Sequence, residues 1–314
     1  MKKNSEILVL GHKGLVGSAI VNELKNQGYT NILTLSRLSA DLTDFKETIS
    51  AFKYHMPEYV ILAAAKVGGI YANDIQSADF IRENLQISVN VIEACRQINV
   101  KKLVYLGSSC IYPKFANQPI NESEFMTGEL EETNIGYATA KIAGIKMCQL
   151  YNKQYYCNYI SIMPTNLYGE NDNYDPVNSH VIPGMINKFH EAKINKEKSV
   201  TLWGDGTPKR EFLYVKDMAI ATIFLLKNYN SPEIVNVGTG EDIALSELAE
   251  IIKNVVGYTG DIIWNSNFKN GTPRKLLDVK KIHDLGWTHK TNLTEGIKTT
   301  YEWFLANYYN LRKK

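Results

Sequence analysis

The fold turns on Ile7-Leu8-Val9-Leu10-Gly11-His12-Lys13-Gly14-Leu15-Val16-Gly17. Four apolar residues without polar alternation read as a strand buried on both faces. The glycines after it follow the spacing G-x-x-G-x-x-G. Beyond them Val16, Ile20, Val21 and Leu24 share one side of a helical pattern over residues 15–26. Glycines between a strand and a helix let the backbone turn tightly and bring an anion against the free N–H groups of the helix N-terminus. A dinucleotide pyrophosphate requires this order of strand, loop and helix. The expected cofactor contacts here are Gly11, Lys13, Gly14, Leu15, Val16 and Gly17.

Working outward, the alternation continues. Apolar runs at 31–35, 59–63, 101–106 and 158–163 predict strands, and helical spacing recurs at 43–54, 79–97 and 136–151. Asp41 or Thr43 is the expected cap of the second helix. Strand and helix in this rhythm predict an α/β fold, a doubly wound parallel sheet of Rossmann-like type. Residues 1–170 are expected to form this dinucleotide-binding domain. After residue 171 the chain is polar and turn-rich to 179. Helical patterns then follow at 181–192, 215–227, 245–256 and 293–308, with short strands at 200–203 and 233–237. Residues 171–314 are expected to be mainly a smaller α/β substrate lobe, with some segments returning to the sheet.

Bulk composition excludes several classes. There are 35 basic and 33 acidic residues, a net charge of +2, so neither nucleic acid nor an anionic membrane is an expected partner. The basic cluster at 312–314 reads as a solvated tail. The cysteines Cys95, Cys110, Cys148 and Cys157 form no C-x-x-C pair, and no metal site is expected. No apolar run approaches the ~20 residues that span a bilayer, and the N-terminus lacks a signal-peptide pattern. A soluble cytoplasmic protein is expected.

The end of the second strand, Thr34-Leu35-Ser36-Arg37-Leu38-Ser39, carries no acid. An NAD site usually has one there for the ribose hydroxyls. Ser36 and Arg37, with Lys13, suit a 2′-phosphate instead, so NADPH is the expected cofactor, with Asp41 and Leu42 against the adenine. Tyr137-Ala-Thr-Ala-Lys141 fits Y-x-x-x-K. On a helix this spacing puts both side chains on one face. A lysine there is expected to lower the tyrosine pKa and make it a proton donor and acceptor near neutrality. Ser108, just after the 101–106 strand, can hydrogen-bond a substrate carbonyl beside Tyr137.

These three features together resemble the extended short-chain dehydrogenase/reductase superfamily. The narrower resemblance is to the GDP-L-fucose synthase family, through GHKGLVGSAI, AAAKVGGIYAN, GSSCIYPK, YATAKIAGIKMC, MPTNLYGENDN, NSHVIPGMINKFHEA, LWGDGTPKREFLYVKDMA and GTPRKLLDV. It implies reduction at carbon 4 of a GDP-linked 4-keto-6-deoxy sugar by NADPH, with epimerisation at carbons 3 and 5. Ser108, Tyr137 and Lys141 would stabilise an enolate oxygen. Cys110 and His180 would be the base and acid of epimerisation, which a reductase alone does not need. The resemblance also implies cofactor contacts at Ala63, Ala64, Ala65, Leu106, Lys141, Pro164, Asn166, Leu167 and His180. Substrate contacts would be Ser108, Cys110, Asn166, Lys188, Trp203, Arg210 and Asp278. It implies a homodimer joined through helices such as 79–97 and 136–151. The chain departs from the family at Lys188 and Lys13, where many members have arginine, and at Tyr214, where histidine is usual. All three lie in ligand regions, outside the proton-transfer set. They leave open a carbon-4 reductase without epimerase activity, acting on a GDP-4-keto-6-deoxy-heptose or related GDP-sugar. A non-catalytic NADP-binding sensor is a further alternative, although it would not need the serine, tyrosine and lysine.

Overall fold

The structure is a computed structural model that describes residues 1–175, 179–267 and 271–311. Asn178 of the resemblance motif and the basic cluster at 312–314 lie outside the described residues. The elements run β1 (Ile7–Leu10), α1 (Leu15–Asn26), β2 (Ile32–Leu35), α2 (Phe45–His55), β3 (Tyr59–Leu62), α3 (Ile70–Ile75), α4 (Ser77–Gln97), β4 (Lys102–Leu106), α5 (Ile135–Tyr155) and β5 (Tyr159–Pro164). The second half adds β6 (Asn166–Tyr168), α6 (Val181–Asn195), β7 (Ser199–Trp203), β8 (Lys209–Tyr214), α7 (Val215–Asn228), β9 (Val235–Val237) and β10 (Asp242–Ala244). It ends with α8 (Leu245–Val256), β11 (Asp261–Asn265), β12 (Arg274–Lys275), α9 (Lys280–Asp284) and α10 (Leu293–Asn307).

Six parallel strands form the main sheet in the order β2-β1-β3-β4-β5-β9. Registers run Ile7 to Ile32 on one side and Ile7 to Tyr59 on the other. The strand order therefore reverses at β1, the topological switch point where such sheets open a ligand crevice. β1, β4 and β5 are buried along their full length, as strands covered by helices on both faces must be. α4 packs on α5, and α1 on α7. β9, from the second half, completes the sheet beside β5.

A second core gathers around Phe189, Leu202, Phe212, Leu248, Ile297 and Phe304. Its small sheet has β8 at the centre, antiparallel to β10 and parallel to both β12 and β6. β7 and β11 pair separately. The predicted helices and strands stand within a few residues of their expected limits. β6, β8, β10, β11, β12, α3 and α9 were not anticipated: they are two to six residues long, too short for a periodic signal, and most are strands or helices that exist through their tertiary partners. The cap of α2 is also corrected. It is Asp44, whose side chain accepts the Glu47 N–H at 2.9 Å. Asp41 instead folds a turn of its own, accepting from Thr43 N–H and Oγ1. Among the described residues no helix is long and apolar enough to cross a membrane.

The glycine loop separates two kinds of glycine. Gly11 has φ +87°, and a Cβ there would stand 2.7 Å from Ala64 N. At Gly17 a Cβ would stand 2.2 Å from Gly11 O, inside the backbone of its own loop. At Gly14 it would meet only Gly11 O at 3.5 Å, an ordinary contact. Gly17→Ala is therefore expected to destabilise the protein by about 1–3 kcal/mol. Gly14→Ala should cost less, at most about 1 kcal/mol from the loss of a favourable N-cap residue. Parallel urea titrations of the two variants test this difference.

Candidate active site

The crevice at the switch point is built by three strand ends. Gly14 caps α1 with no side-chain hydrogen bond, and the first turn of α1 holds no acidic residue. Its N–H groups are left for an anion, and a Cβ at Gly14 would clash with nothing in the protein. Leu15 and Val16 continue into the helix, and Lys13 is exposed at the loop tip. At the end of β2, Ser36 hydrogen-bonds Ser39, and Arg37, 75% exposed, lies 3.5 Å from Asp41. Leu42 packs against the main core. Ala63 donates to Leu10 O at 3.0 Å, holding the Ala63–Ala65 segment against the glycine loop. This arrangement fits a dinucleotide with an additional phosphate beside Arg37.

β4 delivers the next group. After Leu106 and Gly107 the chain turns into a short 3-10 helix, Ser109–Ile111, capped by Ser108, whose Oγ accepts the Cys110 N–H at 3.1 Å. α5 brings Tyr137 and Lys141 to the same place. The Lys141 ammonium donates to Leu106 O at 2.7 Å and stands 5.8 Å from the Tyr137 ring centre. The expected lowering of the tyrosine is not what this environment produces. Burial pushes the Tyr137 phenol up, the Cys110 charge adds to that, and the Ser108 hydrogen bond opposes both without prevailing. Burial also pushes Lys141 down to about 8. The physical reason is that both partners are desolvated together and the lysine is committed to a backbone carbonyl. Tyr137 thus enters as a neutral phenol, the form that donates a proton.

Cys110 is the opposite case. Burial disfavours its thiolate, yet the Lys275 charge, hydrogen bonds to Ser108 and Lys275, and the His180 charge outweigh burial and hold the thiol below its ordinary value. Lys275 Nζ lies 3.4 Å from Cys110 Sγ. Sequence reasoning missed this lysine, although it lies in the GTPRKLLDV stretch; nothing in a linear sequence sets it against a cysteine 165 residues away. Glu211 was missed too. It is fully buried, and its carboxylate accepts the N–H groups of Thr239 at 2.6 Å, Gly240 at 2.8 Å and Leu277 at 3.0 Å. Those bonds, with the Lys275–Arg210 register of β12 on β8, seat the lysine. His180 is the N-cap residue of α6, half-exposed, with Nδ1 3.6 Å from Asp172 Oδ1.

The remaining residues spread along the second lobe. Lys188 Nζ stands 5.1 Å above the Trp203 ring and donates to Thr201 O. Trp203 is 44% exposed, so it is a surface aromatic rather than a core one. Arg210 donates to Lys209 O and stands opposite Lys275. Pro164 ends β5; Asn166 and Leu167 open β6, with Asn166 Nδ2 donating to Glu211 O at 2.7 Å. Cys110 and Lys275 line one pocket with Gln118, Glu131 and Asn134. Asp278 is not among its lining residues. It accepts from Asn121 and from the Lys280 N–H, and lines a separate cavity with Pro119 and His283. Cys95, Cys148 and Cys157 are free, and the first two are buried. Among the described residues no group of three or more His, Cys, Asp or Glu could hold a metal.

Residues 7–238 match the NAD dependent epimerase/dehydratase family. The chain is 54% identical over 307 residues to the putative GDP-L-fucose synthase 2 of Arabidopsis thaliana, covering 98% of this chain and 94% of that one. It is 48% identical over 310 residues to the GDP-L-fucose synthase of Escherichia coli K12, covering 96% and 97%. Among solved structures, a GDP-mannoheptose C4 reductase from Campylobacter jejuni with NADP bound superimposes with a TM-score of 0.90 at 39% identity, covering 97% and 99%.

The Cys110 environment makes a prediction that needs no substrate. Iodoacetamide alkylation of Cys110, followed by peptide mass spectrometry across pH, should give a midpoint below the ordinary thiol value of about 8.5. Lys275→Met should raise that midpoint by about one unit or more, since the nearest cation is gone. Lys275→Arg should leave it low.

Proposed function

This chain belongs to the NAD dependent epimerase/dehydratase family and, within it, to the GDP-L-fucose synthase family, and from that premise we propose that it converts a GDP-4-keto-6-deoxy sugar by 3,5-epimerisation and carbon-4 reduction with NADPH. The observation that carries the reading is the Lys275–Cys110 contact at 3.4 Å beside Ser108 and Tyr137. A plain ketoreductase has no use for an activated thiol.

In this reading, the crevice of Gly11, Gly14, Gly17, Ser36 and Arg37 holds NADPH, with Lys141 and Pro164–Leu167 at the nicotinamide end. The cofactor supplies a hydride to carbon 4. The substrate carbonyl oxygen accepts hydrogen bonds from Ser108 and Tyr137, which stabilise the enolate formed when a neighbouring carbon loses its proton. Cys110, as thiolate, takes that proton, and His180 returns one from the other face. After both centres invert, Tyr137 gives its phenolic proton to the carbon-4 oxygen, with Lys141 beside it. The GDP end lies along Trp203, Lys188 and Arg210. The aromatic ring offers a stacking surface, and the guanidinium a fork for phosphate. Two copies are proposed to pair through α4 and α5, which expose Val89, Leu150 and Tyr155. A soluble cytoplasmic enzyme fits this substrate.

Turnover of GDP-4-keto-6-deoxy-mannose with NADPH in deuterated water tests the reading. The expected product has the L-galacto configuration with solvent deuterium at carbons 3 and 5. Cys110→Ala should slow incorporation by about 10²–10⁴-fold. Reduction without incorporation would favour the reductase-only alternative. NADPH binding with no reduction would redirect the assignment to a heptose substrate, the sugar class named for the Campylobacter reductase.

A further inference from the structure

Asp172 is a buried carboxylate that the mechanism above leaves unused. It is 5% exposed and follows Asn171, whose φ of +64° turns the chain inward after β6. Oδ1 accepts the Asn173 N–H at 2.7 Å and lies 3.6 Å from His180 Nδ1. Oδ2 is buried without a hydrogen bond. A carboxylate taken out of water needs a compensating charge or bond. Among the described residues, two of its neighbours are themselves acidic or phenolic. Tyr174 is a phenol that burial, then the charges of Asp172 and Glu170, keep protonated. Glu170 is itself acidic and accepts the Tyr214 hydroxyl at 2.5 Å. Among the described residues, His180 lies within ion-pair distance and can bring positive charge.

His180 sits at the N-cap of α6 with no side-chain cap hydrogen bond. The helix N-terminus carries roughly half a unit of positive charge, which disfavours an imidazolium there. The Asp172 carboxylate, buried and 3.6 Å from Nδ1, opposes that effect. The Cys110 thiolate is a second negative group acting on the same histidine.

We infer that Asp172 is a positioning residue for His180, holding the proton on Nδ1 and the ring in place so that Nε2–H is presented to the sugar. This rests on the epimerase reading above. The step balances: the thiolate takes the carbon-bound proton, its C–H electrons pass into the enolate, and the enolate carbon takes Nε2–H. Thiol and neutral imidazole remain, and solvent exchange restores both.

The test begins without any sugar. The protein has six histidines. NMR of the enzyme with 13C-labelled histidine, with His180→Gln identifying the signal, gives the His180 titration. Wild type should titrate above the ordinary histidine value of about 6.5. Asp172→Asn should lower the midpoint by about one unit, a tenfold loss of proton affinity, and Asp172→Glu should restore it. A wild-type midpoint at or below the ordinary value, or no change in Asp172→Asn, would overturn the inference. NADPH binding reports whether each variant is folded, and the wild-type titration stands even if one is not. In deuterated water above neutral pH, Asp172→Asn should lose at least tenfold of the deuterium incorporation at one carbon and recover it as pH falls. A normal titration shift with an inert sugar would instead count against the substrate reading and leave the Asp172–His180 pair standing.

Discussion

The arrangement of the second lobe against the main sheet depends on the Glu211 carboxylate. It is buried inside the protein, where an unsatisfied carboxylate would be costly, and it is satisfied by backbone N–H groups from two different loops. Burial still pushes it up, against the lowering effect of those bonds. Its main-chain oxygen accepts from Thr165 Oγ1 and Asn166 Nδ2 as well. One residue thus joins the end of β5, the loop after β9, and β12. Gly238 completes the fit, because a Cβ there would stand 2.1 Å from Glu211 Oε1. Asn236 repeats the device nearby, donating to Ile120 O and Asp278 O while accepting the Tyr112 hydroxyl. The result is a short strand, two residues long, fixed closely enough to aim a lysine at a thiol.

Electrostatics then divide the labour. Three protonatable groups share a largely desolvated space, and their environments move them apart. Tyr137 is kept neutral by burial and by the Cys110 charge. Cys110 is favoured as thiolate by Lys275 despite burial, and Lys141 is brought down to about 8. Groups pushed apart in this way can hold different roles at one pH. The thiolate that raises the tyrosine also helps to keep its phenol protonated. Once the thiol carries a proton, that repulsion is gone.

How far the linear sequence led can be judged residue by residue. The glycine loop, its strand and its helix were legible because their constraint is local: an apolar run, then glycines where backbone crowds backbone, as at Gly11 and Gly17. Ser108, Tyr137 and Lys141 were legible for the same reason, one at a strand end and two at one helical spacing. Asp278 is implied by the resemblance alone, and its carboxylate accepts from Asn121 and the Lys280 N–H. The direction of the Tyr137 shift was also misjudged, since spacing reveals a neighbouring charge but not the burial of both partners.

By itself the sequence determined the doubly wound sheet, the glycine loop and the placing of Ser108, Tyr137 and Lys141 at a strand end and on one helix face, because periodicity and short-range spacing encode them. Only the tertiary structure decided which charges stand beside those side chains. Lys275 reaches Cys110, 165 residues earlier in the chain, through the register of β12 on β8. Charge placement of that kind depends on distances of a few ångströms between residues far apart in the chain, and no local pattern records it.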